Sequence, residues 1–585
     1  VSPVPSQSIR TQLEKILASR PFAKSERMSR FLRYTVELAL AGRADDIKEY
    51  RVGVDVFDRK AGYDPRVDPI VRVEARRLRR KLCDYYAGEG QSDEVLIDFE
   101  KGTYVPCFRA RTAITESPAP VTAPHNRTVA VLPFADLGPD VGHEYFTDGL
   151  TEELIHALTR VEGLHVVAWQ SAAQFRGNQR DIRAIGEQLR VSTVLMGSVS
   201  IAGSQLRVRA QLVETATGFY LWSEAYDREM SDIFSIQEEI ARAIVRTLQV
   251  QLSARYDATP IARSASNLDA YDLYLKGRYH WNMRTPEGLT RSVHFFMGAI
   301  ALDSRSALAH AGLADAYSLL TDYALMSSSE AMPKARAAAR RALELAPDLA
   351  EAWTSLAYIR SMYDWEWVEA GHCYRRAVEL NPGYATAHFW LGIDYYALLG
   401  RHDLASASLE KALELDPLSL TLQAGKATLY VLCRDYEAAI QSSRDLVESA
   451  PSYYRGWTGL GRAYIQLARY DLAIEALERG HSLAGDVPNI LAALGQAHAL
   501  AGRPDEARKL LARLEQIAAG QFAPCTSFAL IHSALGETGR ALACVEASCD
   551  RREMSLAAAA VHPVYDPLRS EPRFQQVLRR MHLLE

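Results

Sequence analysis

Six of the ten residues from Arg72 to Lys81 are basic: Arg72, Arg76, Arg77, Arg79, Arg80 and Lys81. Guanidinium and ammonium groups at that density suit the binding of phosphates along a polyanion. Glu74 is the only acid among them. Asp68 followed by Pro69 predicts a helix start, a capping acid and then a proline at the first helical position. At 100° per residue Val71, Ala75, Leu78, Leu82 and Tyr85 share one stripe, and Arg72, Arg76, Arg79 and Arg80 share the stripe beside it. Arg77 and Lys81 spread round the back. The helix therefore offers one side to a small core and the other to a polyanion.

The elements around this helix must position it. Ile9, Leu13, Ile16 and Leu17 predict a helix over residues 7–19, and Ser25 caps a second one carrying Met28, Phe31, Leu32, Val36 and Leu40. Residues 48–57 predict a further short helical element. After the basic helix, Val95-Leu96-Ile97-Asp98-Phe99 and Thr103-Tyr104-Val105-Pro106 flank a Lys101-Gly102 turn, which predicts a hairpin.

A basic helix followed at once by a hairpin resembles the end of the winged-helix domain of OmpR/PhoB-type response regulators. Their pattern, roughly V-x-V-x-x-x-R-L-R-x-K-L, stands here as Val71-Arg72-Val73-Glu74-Ala75-Arg76-Arg77-Leu78-Arg79-Arg80-Lys81-Leu82, with Gly102-Thr103-Tyr104 in the hairpin. The resemblance implies that the helix enters the major groove of duplex DNA and that the wing, with Lys101 near its tip, lies on the backbone or minor groove. The DNA-binding set it implies is Arg72, Arg76, Arg77, Arg79, Arg80, Lys81 and Lys101. It also allows a homodimer on paired half-sites, although no residue specifies one. The alternative is that these arginines are a solvated helix face and that the head makes protein contacts in a scaffold.

Composition fits a multidomain globular chain: 585 residues, 48% hydrophobic and 24% charged. The net charge of −5 splits unevenly. Residues 1–110 carry 21 Lys and Arg against 17 Asp and Glu, or +4, leaving −9 for the remainder. Seven scattered cysteines form no CxxC pair, so neither a disulfide framework nor a zinc site is expected. No apolar run approaches the ~20 residues of a membrane span, and Val1-Ser2-Pro3-Val4-Pro5 lacks a signal-peptide layout. A cytoplasmic location is expected.

Pro118, Pro120 and Pro124 mark residues 111–127 as a semi-stiff linker. It holds no membrane helix, unlike the segment that joins head to sensor in CadC-type regulators, which the head otherwise resembles. Residues 128–253 alternate predicted strands (128–134, 164–168, 193–199, 205–213, 220–226) with helices (149–161, 181–189, 233–252). This block resembles the TolB-like (FlgO-related) α/β module of bacterial regulatory and cyclase-associated proteins. The likeness rests on Val129-Ala130-Val131-Leu132-Pro133-Phe134, on Tyr145-Phe146-Thr147-Asp148-Gly149-Leu150-Thr151-Glu152-Glu153-Leu154, on Gly197-Ser198-Val199 and on Leu221-Trp222-Ser223-Glu224-Ala225-Tyr226-Asp227-Arg228. It implies a sensing or docking fold. Asp148, Glu152 and Glu153 invite a metal or catalytic reading, but acids in a helix's first turn are favoured by the macrodipole alone.

After a short linker, 254–266, near copies recur: Ala342-Leu343-Glu344-Leu345-Ala346-Pro347, Ala377-Val378-Glu379-Leu380-Asn381-Pro382, Ala412-Leu413-Glu414-Leu415-Asp416-Pro417 and a degenerate one ending at Pro451. The prolines are 35, 35 and 34 residues apart, the period of tetratricopeptide (TPR) repeats. Trp457, Leu460, Gly461 and Tyr464 complete the W-x2-L-G-x2-Y pattern, and Gly392, Gly461 and Gly495 let paired helices approach. About seven repeats are expected over 267–585, the last ragged beyond Phe528, with a cap near His562–Met581. Such an array presents a groove for a protein or peptide partner.

No phosphate loop, HExxH, GxSxG or GxGxxG after a strand is present. No segment remains for a cyclase domain. The expectation is a chain without enzymatic activity, cofactor, catalytic residue or metal. The fold class is multidomain α+β and all-α: a winged helix (1–110), a TolB-like α/β domain (128–253) and a TPR α-solenoid (267–585). The function expected is a DNA-binding transcriptional regulator whose rear domains receive a protein or peptide signal, or else a TPR scaffold that does not bind DNA.

Overall fold

The computed structural model describes residues 5–19, 22, 25–59, 70–87, 89–90, 93, 95–99, 103–110, 128–138, 144–161, 163–177, 181–248 and 267–584. The chain divides into two compact units, residues 1–123 and 124–585. The expected linkers 111–127 and 254–266 and the Asp68-Pro69 helix start lie outside the described residues.

In the first unit α1 (Ser6–Ala18), α2 (Glu26–Leu40), α3 (Glu49–Asp55) and α4 (Ile70–Ala87) precede the antiparallel strands β1 (Val95–Phe99) and β2 (Pro106–Ala110). Leu13, Ile16, Phe31, Leu32, Val36 and Ile97 form the core that receives the apolar stripe of α4. Phe57 meets Phe31 edge-on, with ring centroids 5.4 Å apart.

The second strand falls later than expected. It begins at Pro106, opposite Phe99, rather than ending there. Proline has no N–H to give a ladder, so it belongs at a strand's first position. The Val105 N–H is taken instead by the Thr103 hydroxyl at 3.0 Å, a local turn that keeps 103–105 out of the sheet.

The second unit opens with a mixed sheet. β3 (Thr128–Val131), β4 (Ala135–Asp136), β5 (His165–Val166), β6 (Thr193–Ala202), β7 (Gln205–Glu214) and β8 (Tyr220–Glu229) lie in the order β5-β3-β6-β7-β8, with β4 also on β6. β3 is parallel to β5 and β6, and β6, β7 and β8 form an antiparallel meander. The longer helices beside the sheet are α5 (Glu144–Thr159), α6 (Ile182–Leu189), whose start Asp181 caps, and α7 (Ile233–Thr247). α5 begins five residues before the expected Gly149.

At Gly197 of β6 an added Cβ would lie 2.3 Å from the Arg209 carbonyl oxygen and 2.4 Å from the Phe134 ring. Neither can move without disturbing the sheet. Gly197→Ala is therefore expected to destabilise the second unit by about 1–3 kcal/mol, seen as a lower urea midpoint; an unchanged midpoint would refute the packing argument.

From α8 (Leu268–Asn282) and α9 (Pro286–Leu302) onward the described residues form eight antiparallel helix pairs, ending with Cys525–Ala534 and Thr538–Asp550. Each pair turns through one residue of positive φ: Arg284, Ala324, Trp365, Gly400, Arg434, Ala468, Gly502 and Gly536. A left-handed residue is the usual way to end a helix and reverse. The prolines of the repeated hexapeptides follow the second helix of a pair, as their spacing predicts.

Gly461 would meet Ala473 and Leu477 of its own partner helix, whereas Gly495 would meet Ile531 of the following pair, which corrects its expected role. Trp353 and Trp457 donate to the carbonyls of Pro347 and Pro451, each at 2.8 Å, and so fasten each pair to the preceding turn.

The array closes on itself. The backbone N–H of Met554 donates to Ser328 Oγ at 3.2 Å, and Trp367 Nε1 donates to the Met581 carbonyl at 2.8 Å. Arg434 holds Asp566 through two bonds of 2.6 and 2.9 Å. Cys107, Cys373, Cys433, Cys525, Cys544 and Cys549 are free thiols. No helix among the described residues is long and apolar enough to cross a membrane.

Candidate functional site

In the first unit the site is built on α4. Val71, Ala75, Leu78, Leu82 and Tyr85, the stripe expected from spacing, are all buried. The end of the helix is pinned by polar contacts. Tyr85 Oη and Gln12 Nε2 each donate to Asp93 Oδ2 at 2.5 Å, and Lys15 Nζ lies 3.4 Å from Asp93 Oδ1. Burial pushes the Asp93 carboxyl up, but the hydrogen bonds from Tyr85, Gln12 and Lys15 outweigh it and hold it below the usual range. The Ile97 N–H donates to Tyr86 Oη at 2.8 Å, which ties α4 to β1.

Of the seven basic residues singled out in the sequence, Arg77 and Lys81 are described with their side chains. Arg77 is exposed and paired through Nη1 with Glu74 Oε1 at 2.8 Å; the Glu74 carboxylate is buried. Lys81 is half-buried, its ammonium 5.8 Å from the centre of the Phe22 ring. Arg72, Arg76, Arg79 and Arg80 occupy α4, but their side chains lie outside the described residues, as does Lys101.

The acids of α5 have a different role from the one the sequence suggested. Because the helix starts at Glu144, Glu152 and Glu153 sit two turns into it, beyond the reach of a terminal dipole. They are buried against α8. Arg278 donates to Glu152 through Nε at 3.1 Å and through Nη2, and Asn282 Nδ2 donates to the other Glu152 oxygen at 3.0 Å. Arg278 Nη1 also lies 3.8 Å from Asp315, which accepts from Ser355 Oγ at 2.5 Å. Tyr274 Oη donates to Glu153 at 3.1 Å.

Burial drives the Glu152 carboxyl up, yet Arg278 above all keeps it ionised and below its ordinary value. Glu153 has no such partner and burial raises it. Asp148 pairs with Arg176, and burial still carries its pKa to about 6. Among the described residues no group of His, Cys, Asp or Glu has the arrangement of a metal site.

A second polar contact joins the α/β block to the array. Ser171 Oγ donates to Asp416 at 2.5 Å and accepts from the Leu418 N–H at 2.8 Å, and the Ala168 N–H donates to the Leu415 carbonyl at 2.8 Å. Arg278, Asp315 and Asp416 had not been singled out. The readable sign for Arg278 is its place on α8, where it shares a buried stripe with Tyr271, Tyr274, Leu275 and Trp281. An arginine on such a stripe needs a buried acid. Asp416 gave no sign beyond standing in a repeated hexapeptide.

Comparison with known proteins places a class on the middle and rear of the chain. Residues 125–243 match the family described as HilA/YgeH-like transcriptional regulator, second domain, and residues 385–417 and 454–486 match the tetratricopeptide repeat. The chain thus carries a HilA/YgeH-like domain followed by TPR repeats.

Two relatives are more particular. Over 216 residues the chain is 37% identical to "Putative adenylate cyclase 3" of Rhizobium meliloti (strain 1021), covering 36% of each protein. Over 313 residues it is 23% identical to "Transcriptional regulator HilA" of Salmonella paratyphi A, covering 53% of this chain and 54% of the relative. The chain therefore spans between about a third and about half the length of the curated relatives it matches. The expectation that the chain is not an enzyme is overturned by the first of these relatives, which bears the name of one.

Among solved structures, yeast Tom70 is 16% identical over 54% of this chain and 69% of its own, with a TM-score of 0.34. A tetratricopeptide repeat protein from Parabacteroides merdae is 14% identical over 54% of this chain and all of its own, with a TM-score of 0.29.

Proposed function

We propose that the chain is a cytoplasmic DNA-binding transcriptional regulator. Its first unit is a winged helix of the OmpR/PhoB kind, with α4 as the recognition helix and the β1–β2 connection as the wing. Arg72, Arg76, Arg79 and Arg80 are its groove and phosphate contacts and Lys101 its wing contact. Arg77, which is paired with Glu74, and Lys81, which packs on Phe22, contribute less. The α/β block is a TolB-like coupling module, and the repeats offer surface to a protein partner. The observation that carries the reading is the order of parts: a basic, core-anchored helix and hairpin stand directly before a domain matched to the HilA/YgeH-like regulators.

The test is fluorescence anisotropy of the full chain on labelled random duplex DNA at two salt concentrations, beside Arg76→Ala/Arg79→Ala. Wild type is expected to bind with a steep salt dependence. The double variant is expected to lose affinity on every sequence and to reduce the salt slope by about one for each phosphate contact removed. A folded wild type with no salt-sensitive binding would refute this reading and favour the scaffold.

A further inference from the structure

β8 is the outer strand of the meander: it pairs with β7 and, among the described residues, with no other strand. The Met230 N–H donates to the Ser204 carbonyl at 2.9 Å. An antiparallel ladder bonds alternate residues to one neighbour, so Trp222, Glu224, Tyr226 and Arg228 also turn their N–H and C=O groups to β7. Ser223, Ala225, Asp227 and Glu229 turn theirs outward. The irregularity of the ladder lies at Leu212/Val213, which leaves the row from Ser223 to Glu229 regular.

An open edge pairs with another strand unless something blunts it, and proline or a bulge is a usual device. Residues 223–229 contain neither. Where the strand begins, Phe219, Tyr220 and Leu221 are 72%, 62% and 43% exposed, three consecutive large apolar side chains left in water. Charge is the other usual guard of an edge, and here its arrangement is complementary to itself. Glu224 and Arg228 are exposed and share a face of the strand with the buried Tyr226. Among the described residues Arg228 has no acid paired with it; its Nη1 donates to the Asp227 carbonyl at 3.3 Å. Asp227 is itself paired with Arg207 of β7.

A second β8 laid antiparallel to the first, about a two-fold axis at Tyr226, sets Glu224 of each copy opposite Arg228 of the other. Both pairs fall at non-hydrogen-bonded positions, where opposed side chains stand closest. Ala225 then faces Asp227, and Ser223 faces Glu229. All four outward rows of N–H and C=O groups meet their counterparts, and no like charges oppose. Neighbouring registers are worse. An axis at Glu224 or at Asp227 places that acid against itself, and an axis at Ala225 sets Arg228 against Trp222 and leaves Glu224 without a base.

We propose that β8 is the interface for a second copy of this chain, joined as a two-fold antiparallel pair centred on Tyr226 that makes one sheet of two six-stranded ones. A two-fold interface requires a surface complementary to itself, and the Glu224–Arg228 register supplies it. This goes beyond the regulator reading and does not depend on it.

The test is sedimentation equilibrium of the full chain, without DNA, from sub-micromolar to high-micromolar concentration. Wild type is expected to show a monomer–dimer equilibrium. Glu224→Arg and Arg228→Glu each place two like-charge pairs across the interface and are each expected to weaken dimerisation about tenfold or more. The double variant Glu224→Arg/Arg228→Glu restores both pairs in reversed order and is expected to return the dimer to near wild-type strength. Ala225→Pro removes an outward N–H while sparing the bonds to β7, and is expected to abolish the dimer. Circular dichroism melts establish that each variant is folded; if the proline variant is not, the charge exchange decides alone. A wild type that stays monomeric, a dimer that survives both single reversals, or a double variant no stronger than the singles would overturn the proposal.

Discussion

Replacing Arg278 by alanine is expected to destabilise the second unit by about 3–5 kcal/mol. Arg278 and Glu152 are 7% and 4% exposed, so little solvent screens them. The arginine holds Glu152 through two donors and faces Asp315 at 3.8 Å. Its removal leaves two buried carboxylates facing one another across a space sized for a guanidinium. Either both stay ionised in a medium that solvates them poorly, or one binds a proton at a cost in free energy. The pair as a whole is worth far less than this loss suggests, because forming it required both ions to leave water. Arg278→Met with Glu152→Gln is therefore expected to recover most of the stability. Urea unfolding followed by circular dichroism at pH 7 distinguishes the two variants. A loss below about 1 kcal/mol in Arg278→Ala would mean that water reaches the site.

What the sequence made readable, and what it hid, divides along the range of the interactions. The stripe of α4 was legible because a helix meeting one core must repeat its apolar residues every three or four positions. The repeats were legible for a similar reason, since each hexapeptide ends one helix and turns the chain in the same way. The start of β2 was misplaced by the pull of Tyr104 and Val105, apolar residues that look like strand but serve the core from a turn. Pro106 was the better sign. Of the candidate DNA set, the stripe that anchors the helix could be read, but the Glu74–Arg77 pair shows that a basic run is not uniformly available to a ligand.

The contacts between the α/β block and the array had no local signature. Glu152 and Arg278 are 126 residues apart, and Ser171 and Asp416 are 245 apart. Neither member of such a pair announces its partner. Only an acid or arginine on an otherwise apolar stripe hints that a partner exists somewhere.

The stability of the second unit is expected to fall as pH rises from about 4 to 7, and Asp416 is the residue to test. Its carboxyl is 3% exposed and accepts from Ser171. Burial raises its pKa to about 7 against the opposing hydrogen bonds of Ser171 and Ser419. Because that value exceeds the unfolded one of 3.8, the folded state binds more protons than the unfolded state between about pH 4 and 7. Stability is then lost through that window and levels off above it. The full shift corresponds to about 4 kcal/mol.

Asp148 and Asp315, each raised to about 6 mainly by burial, add in the same direction. His562 acts oppositely: burial lowers its imidazole to about 3, so its contribution grows as pH rises toward 6.5. Comparing Asp416→Asn with wild type cancels these terms. The amide keeps an acceptor for Ser171 and has no charge to bury. Asp416→Asn is expected to match wild type near pH 4.5 and to exceed it by roughly 2–4 kcal/mol at pH 8, as read from urea midpoints at both pH values. Equal pH dependence in the two proteins would show that Asp416 stays ionised in the fold. A flattened profile would instead mean that the contact between the α/β block and the array is held by a protonated acid and loosens as that proton leaves.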